Sequence, residues 1–241
     1  MAKTRDGNVE AIRALVVAKR SARSVKIKTL NQIRHLSYAG PDQLRERLKG
    51  VSRQHLAARA AALRPSQREG ADPVLVATKT ALRILGRRVL ALDEEKARID
   101  ALLSELVTQT APDLLTLHGV GVDTAASLLV TAGDNPGRLR SEAAWAHLCG
   151  TAPIPASSGK VTRWRLNRGG DRQANSALWG IVITRLRNDP RTQASMTRRL
   201  AEGRSKPEVI RILKRYVARE GLPPPAPALK HPLILAAGLA R

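Results

Sequence analysis

The sequence predicts a mainly α fold: a helical, coiled-coil arm over 1–109, then a helix-hairpin-helix-containing domain over 110–222 with a short β-hairpin. Three observations predict it. Apolar residues recur at threes and fours without a break across 74–109. A Gly119-Val120-Gly121 turn separates two short apolar segments. Residues Lys160 to Leu166 alternate in character and end at a Gly-Gly turn.

The elements follow in order. Ile12, Leu15, Ala18, Ala22, Val25, Ile33 and Leu36 mark one face of a helix over 9–37, and Lys19, Arg20, Arg23, Lys26, Lys28 and Arg34 mark the other. That basic face is either solvated or turned toward phosphates. Tyr38-Ala39-Gly40-Pro41 ends the helix. Short helices are expected near 41–49 and 52–63, then a loop from Arg64-Pro65 to Asp72-Pro73. Over 74–109 the row Thr78, Leu82, Leu85, Val89, Leu92, Lys96, Ile99, Leu103, Leu106 has the a/d spacing of a coiled coil, with Lys96 its one charged position. Its partner is either the 9–37 helix folded back antiparallel or a second copy of the chain, and a homo-oligomer is expected.

Thr110-Ala111-Pro112 opens the second region. Gly119 and Gly121 suit a helix-hairpin-helix in which the backbone approaches a phosphate and the following helix N-terminus binds it. The alternative is a plain helix turn with glycine caps. Asp134 to Gly137 is a turn, and Ser141 to Leu148 a short helix. His147 and Cys149 read as fillers. Val161, Arg163 and Arg165 fall on one face of a strand, with Thr162, Trp164 and Leu166 on the other. Asp171 caps a helix carrying Ala174, Ala177, Leu178, Ile181, Val182, Arg185 and Leu186. Ser205-Lys206-Pro207-Glu208 is a capping box, followed by a stripe of Val209, Ile212, Leu213, Tyr216 and Val217. Arg211, Lys214, Arg215 and Arg219 then read as a solvated face. A Pro/Ala-rich tail fills 223–241.

Charge bounds the function. The 241 residues carry 42 Lys+Arg against 20 Asp+Glu, a formal net charge of +22, while 43% hydrophobic residues suffice for a core. Such self-repulsion calls for a polyanionic partner, nucleic acid first and an acidic membrane surface second. Three Trp, two Tyr and no Phe argue against base-stacking modules and for phosphate contact by Arg and Lys. The single Cys149 excludes an internal disulfide and a cysteine-based zinc site, and the five scattered His show no metal-ligand spacing, so no metal site is expected. No apolar run reaches membrane-span length and the start lacks a signal core, so a cytoplasmic protein is expected.

The densest chemistry lies in Ser157-Ser158-Gly159-Lys160 and the cations Arg163, Arg165, Arg168 and Arg172 that follow. Cations around a serine suit attack on a phosphodiester, but a serine needs a base or metal to activate it, and none is visible nearby. On the residues alone, a basic loop that only grips DNA is favoured.

Three segments, L-x-x-L-H-G-V-G-x-D-T-A, A-H-L-C-G-T-A-P-I-P-A-S-S-G-K and R-L-N-R-G-G-D-R-Q-A-N, resemble the C-terminal domain of DEDD-type bacterial insertion-sequence transposases, the IS-one-ten group. The resemblance runs from about residue 3 to 220 and is most specific over 114–175. It implies a catalytic serine before a glycine, which matches Ser158 rather than Ser157. The residues themselves, read as phosphate contacts, make Gly119, Gly121, Lys160, Arg163, Arg165, Arg168 and Arg172 the expected nucleic-acid-binding positions. The implied partners are DNA, as element ends and target, and a bridge RNA, in a nucleoid-associated cytoplasmic protein. In that family Mg²⁺ belongs to an N-terminal RuvC-like domain with four acidic ligands. Asp6 and Glu10 do not reproduce that set, so the chain is expected to be a truncated form without its own cofactor. Two functions remain open: a serine recombinase domain, or a catalytically inactive module that binds nucleic acid and oligomerises.

Overall fold

The computed structural model describes residues 7–65, 72–133, 139, 141–160 and 164–220. They form ten helices and one two-stranded antiparallel hairpin, a mainly α architecture. Ala14–Leu102 packs as one compact unit, and the start of the first helix packs with the chain from Leu103 onward as another.

The first unit is built from two long helices and two short ones. Helix α1 runs Asn8–Ala39, α2 Asp42–Leu48, α3 Arg53–Ala61 and α4 Pro73–Thr110. Lys19 pairs with Asp100 at 2.5 Å and Lys26 with Asp93. As α1 advances seven residues α4 retreats seven, so the two run antiparallel. Of the two partners the 74–109 row allows, the structure supplies the intrachain one. Leu82, Val89, Ile99 and Leu103 are buried as their spacing predicts.

The expected face of α1 is rotated. Val25 and Leu36 are exposed, and the buried row is Val9, Ile12, Val16, Ala22, Leu30 and Ile33. Lys19 and Lys26 sit within that row because the α4 carboxylates are there to receive them. Lys96 also reaches Asp100 at 2.5 Å. Partial burial pushes the Asp100 carboxyl up, but hydrogen bonds from Lys19 and Lys96 outweigh it and hold the group below its ordinary range.

At the other end of this unit Leu30, Ile33, Leu44, Leu48, Leu56, Ala57, Ala60, Leu63, Leu82 and Val89 form one core. Gly86 lets α3 press against α4. A Cβ there would stand 2.5 Å from the Ala61 nitrogen and 2.7 Å from the Ala57 carbonyl oxygen.

In the second unit α5 (Pro112–Thr116), α6 (Val122–Ala132) and α7 (Glu142–Leu148) lead to strands β1 (Ile154–Pro155) and β2 (Trp164–Arg165). Ile154 pairs with Arg165 and Pro155 with Trp164. The strand expected from Lys160 to Leu166 is thus only two residues long at its described end. Residues 161–163, with Arg163, lie outside the described residues, as do 1–6, the Asp134–Gly137 turn and the 221–241 tail.

Helix α8 (Arg172–Asn188) is the centre of this unit and packs on α6, α9 (Pro190–Ala201) and α10 (Lys206–Glu220). Its core includes Leu128, Trp145, Cys149, Leu178, Ile181 and Val182. Helix α9 was not foreseen, although its signals are local: Asp189 accepts from the Thr192 amide at 3.1 Å and Pro190 takes the first helical position. At α10, Glu208 reaches back to the Ser205 amide at 2.9 Å as a capping box requires. The Ser205 hydroxyl donates to that same carboxylate at 2.7 Å. The buried stripe of α10 is Val209, Leu213, Val217 and Ala218, while Tyr216 is exposed and Ile212 half-buried.

Gly86→Ala should lower stability by roughly 1–3 kcal/mol, although alanine in a helix is intrinsically favoured by about 1 kcal/mol. The backbone of α3 cannot yield as a side chain would. Urea denaturation monitored by circular dichroism checks this, and a variant as stable as the parent would contradict the close α3–α4 contact.

Candidate nucleic-acid interface

The site is assembled around two glycines. Gly150, at φ +65, and Gly170 touch backbone to backbone. A Cβ on Gly170 would lie 2.3 Å from the Gly150 nitrogen. No side chain fits there, so the two loops that meet at these positions are held at contact distance.

Hydrogen bonds fix the rest. The Asp171 amide donates to the Leu148 carbonyl at 2.6 Å. Its carboxylate caps α8 by accepting from the Gln173 amide at 2.7 Å and the Ala174 amide at 3.0 Å. Asn167 donates to the His147 carbonyl at 2.9 Å and accepts from the Gly169 amide at 3.0 Å. Asn175 donates to the Cys149 carbonyl at 2.8 Å and to the Gly150 carbonyl at 3.2 Å. Its side-chain oxygen accepts from Lys214 Nζ at 2.8 Å, which ties the loops to α10.

Above this floor lies a groove of about 960 Å³. One bank is β2 and the segment after it, carrying Arg165 and Arg168, and the start of α8 with Arg172. The other is α10 with Arg211, Lys214, Arg215 and Arg219, joined by Arg204. Glu208 is the one carboxylate among the described residues that line it. Glu142 pairs with Arg215 at 2.6 Å and Arg219 at 3.0 Å. Arg215 keeps a buried Nη1 with no acceptor among the described residues. Burial, and then the charge of Arg211, lowers the Lys214 pKa. These cations are held together with little to neutralise them, which is the electrostatic form of a polyanion site.

The expected site residues therefore divide. Arg165, Arg168 and Arg172 come together in the groove. Arg163 lies outside the described residues. Ser158 and Lys160 are exposed on the hairpin loop and do not line the groove, with Gly159 between them at φ +57. Arg165 pairs with Ile154, four residues before Ser158, so the hairpin carries the serine toward its tip.

Gly119 and Gly121 do not line the groove either. Gly119, at φ +80, packs against α8, and a Cβ there would meet the Ile181 carbonyl oxygen at 3.2 Å and Arg185 Cγ at 3.3 Å. The buried Arg185 holds this turn by donating to the His118 carbonyl at 2.7 Å and pairing with Glu220 at 2.6 Å. Gly121 is open to solvent, but its amide already donates to the Thr124 hydroxyl at 3.0 Å.

Sequence reasoning missed the α10 bank. Arg211, Arg215 and Arg219 recur every four residues, a readable stripe, but nothing local says that it faces Arg168 and Arg172. Nor does the scarcity of aromatics say where they fall. Trp164, Trp179 and Tyr216, three of the five in the chain, line this one groove. Cys149 is a core residue, its thiol pushed up to about 12 by burial and by Asp171, which makes it a poor nucleophile. Among the described residues no three His, Cys, Asp or Glu side chains cluster to hold a metal. None of the described helices is long and apolar enough to cross a membrane.

Comparison with known proteins points to one class. Residues 111–197, which contain the hairpin and α8, match the model of the transposase IS116/IS110/IS902 family. The chain is 31% identical over 134 residues to the insertion element IS110 uncharacterized 43.6 kDa protein of Streptomyces coelicolor, covering 54% of this chain and 33% of the relative. It is 27% identical over 139 residues to the insertion element IS900 uncharacterized 42 kDa protein of Mycobacterium paratuberculosis, covering 56% and 35%. The matched region thus spans about a third of each relative's length.

A phosphate placed beside Lys214 favours its charged form and raises the lowered pKa. In alkaline buffer, below the ordinary lysine range, binding of a polyanion in the groove should therefore be accompanied by proton uptake. Calorimetry in buffers of different ionisation enthalpy should show that uptake, and Lys214→Met should remove it. Uptake unchanged in the variant would place the polyanion elsewhere.

Proposed function

We propose that the chain is a DNA-handling domain of insertion-sequence transposition. The groove holds the sugar-phosphate backbone and the hairpin presents Ser158 as nucleophile. The observation that carries this is the joining of Arg165, Arg168 and Arg172 with the α10 cations in one groove, largely within or next to the segment that matches the transposase model.

The proposed step is transesterification. Ser158 Oγ bonds to phosphorus, the P–O bond to the neighbouring nucleotide breaks, and the leaving oxygen takes a proton. A phosphoserine ester keeps the strand end until the reverse attack rejoins it. The groove arginines position the backbone and offset charge in the transition state. We assign the proton acceptor to another part of the assembly, the RuvC-like domain of the resembled family, where Mg²⁺ would also reside. DNA ends, a target and a bridge RNA are the proposed partners, and self-association, on the faces of the long helices that α1 and α4 do not give to each other, the proposed assembly mode.

One observation favours a second reading. Ser158 lies outside the groove, so a module that binds nucleic acid without cutting it would need no other change in this structure.

The discriminating experiment uses nicked, labelled element-end DNA with bridge RNA and Mg²⁺, with and without a RuvC-like domain in trans. A protein–DNA band on a denaturing gel is expected in the complete mixture. It should be absent in Ser158→Ala and retained in Ser157→Ala, with DNA binding unchanged in both. A band of equal strength in Ser158→Ala would end the nucleophile assignment, and binding without a band in any mixture would favour the second reading.

A further inference from the structure

We infer that the groove accepts an unpaired polynucleotide strand, stacking bases on Trp164 and Trp179 while its cations hold the phosphates. This rests on the nucleic-acid reading of the groove and narrows it to one form of ligand.

The argument starts from what these side chains leave in water. Trp164 is 63% exposed and Trp179 49%, although the same unit buries Trp145 completely. The two come from different elements, one from β2 and one from α8, yet both face the groove. On α8 the groove face is Arg172, Asn175, Ser176 and Trp179, with the buried residues on the opposite side. The ring is therefore held out on a rigid helix, about two turns from Arg172 on the same face. Tyr216 is less available, because Arg219 lies 5.8 Å over its ring and Arg199 donates to its hydroxyl at 3.3 Å.

A duplex has little use for such rings. Its bases are stacked on one another and offer only their edges in the grooves. An unpaired strand offers base faces and phosphates together, the combination that stacking platforms in a basic channel recognise. Arginines alone would serve either form, so the exposed indoles make the distinction. The chemistry is shared by single-stranded DNA and RNA.

The test uses the full chain and three labelled probes at fixed salt: an oligo-dT, an oligo-U of equal length and a duplex of that length. Single strands should bind tighter than duplex and quench tryptophan fluorescence. Trp164→Ala and Trp179→Ala should each weaken single-strand binding by about 5- to 100-fold, the loss of one stacked base, and leave duplex binding within about twofold. Trp179→Phe should restore most of the loss, which a merely structural defect would not allow. The dT and U arms tell which sugar the groove prefers. Duplex binding as tight as single-strand binding, with both alanine variants unchanged, would overturn the stacking inference and leave the polyanion site standing. Failure to bind any probe would overturn the nucleic-acid reading itself, and this inference with it.

Discussion

The contact between Gly150 and Gly170 is the constraint on which the groove depends. Two backbones meet there with no room for a Cβ on Gly170, and Asn175 locks the contact by bonding to the carbonyls of Cys149 and Gly150. Because Asn175 also accepts from Lys214, one side chain in the first turn of α8 connects the loop after α7 to the cationic face of α10. The arginine segment is thereby set against a second basic element from far along the chain. Without that join, Arg165, Arg168 and Arg172 would be what they look like in isolation, a solvated basic loop.

Crowding like charges is unfavourable, and the structure only partly offsets it. Glu142 takes up Arg215 and Arg219, while Glu208 is occupied by Ser205, which holds its carboxyl below the ordinary range. Arg204 has Glu202 at 4.0 Å, and the Lys214 pKa is lowered first by burial and then by the charge of Arg211. A polyanion that binds only the folded chain would relieve this strain and raise stability by mass action. Such binding would couple to folding through charge, whereas the Lys19–Asp100 and Lys26–Asp93 pairs in the other unit settle their charges internally.

Much of the fold was legible because it is written in local periodicity. The 74–109 stripe, the Asp171 cap and the Ser205–Glu208 box each declare themselves within a few residues. The rotation of α1 was not legible, since Lys19 and Lys26 become seam residues only when Asp100 and Asp93 stand opposite. Of the candidate site, Arg165, Arg168 and Arg172 are close in sequence and line one groove, but the α10 bank and the gathering of Trp164, Trp179 and Tyr216 depend on tertiary packing that composition averages away. Composition showed few aromatics, and only the structure shows that most of them share a groove. Gly119 illustrates the converse: its positive φ is used to pack the turn against Ile181 and Arg185.

The central claim is that the arginine segment and α10 form one polyanion site. The salt dependence of binding to a single-stranded oligonucleotide tests it directly, comparing the parent with Arg168→Ala, Arg211→Ala and the double variant. Each substitution should reduce the slope of log K against log salt by about 0.7, and the double variant by about twice that. A slope that falls with Arg168→Ala but stays unchanged with Arg211→Ala would separate the two banks and contradict the account.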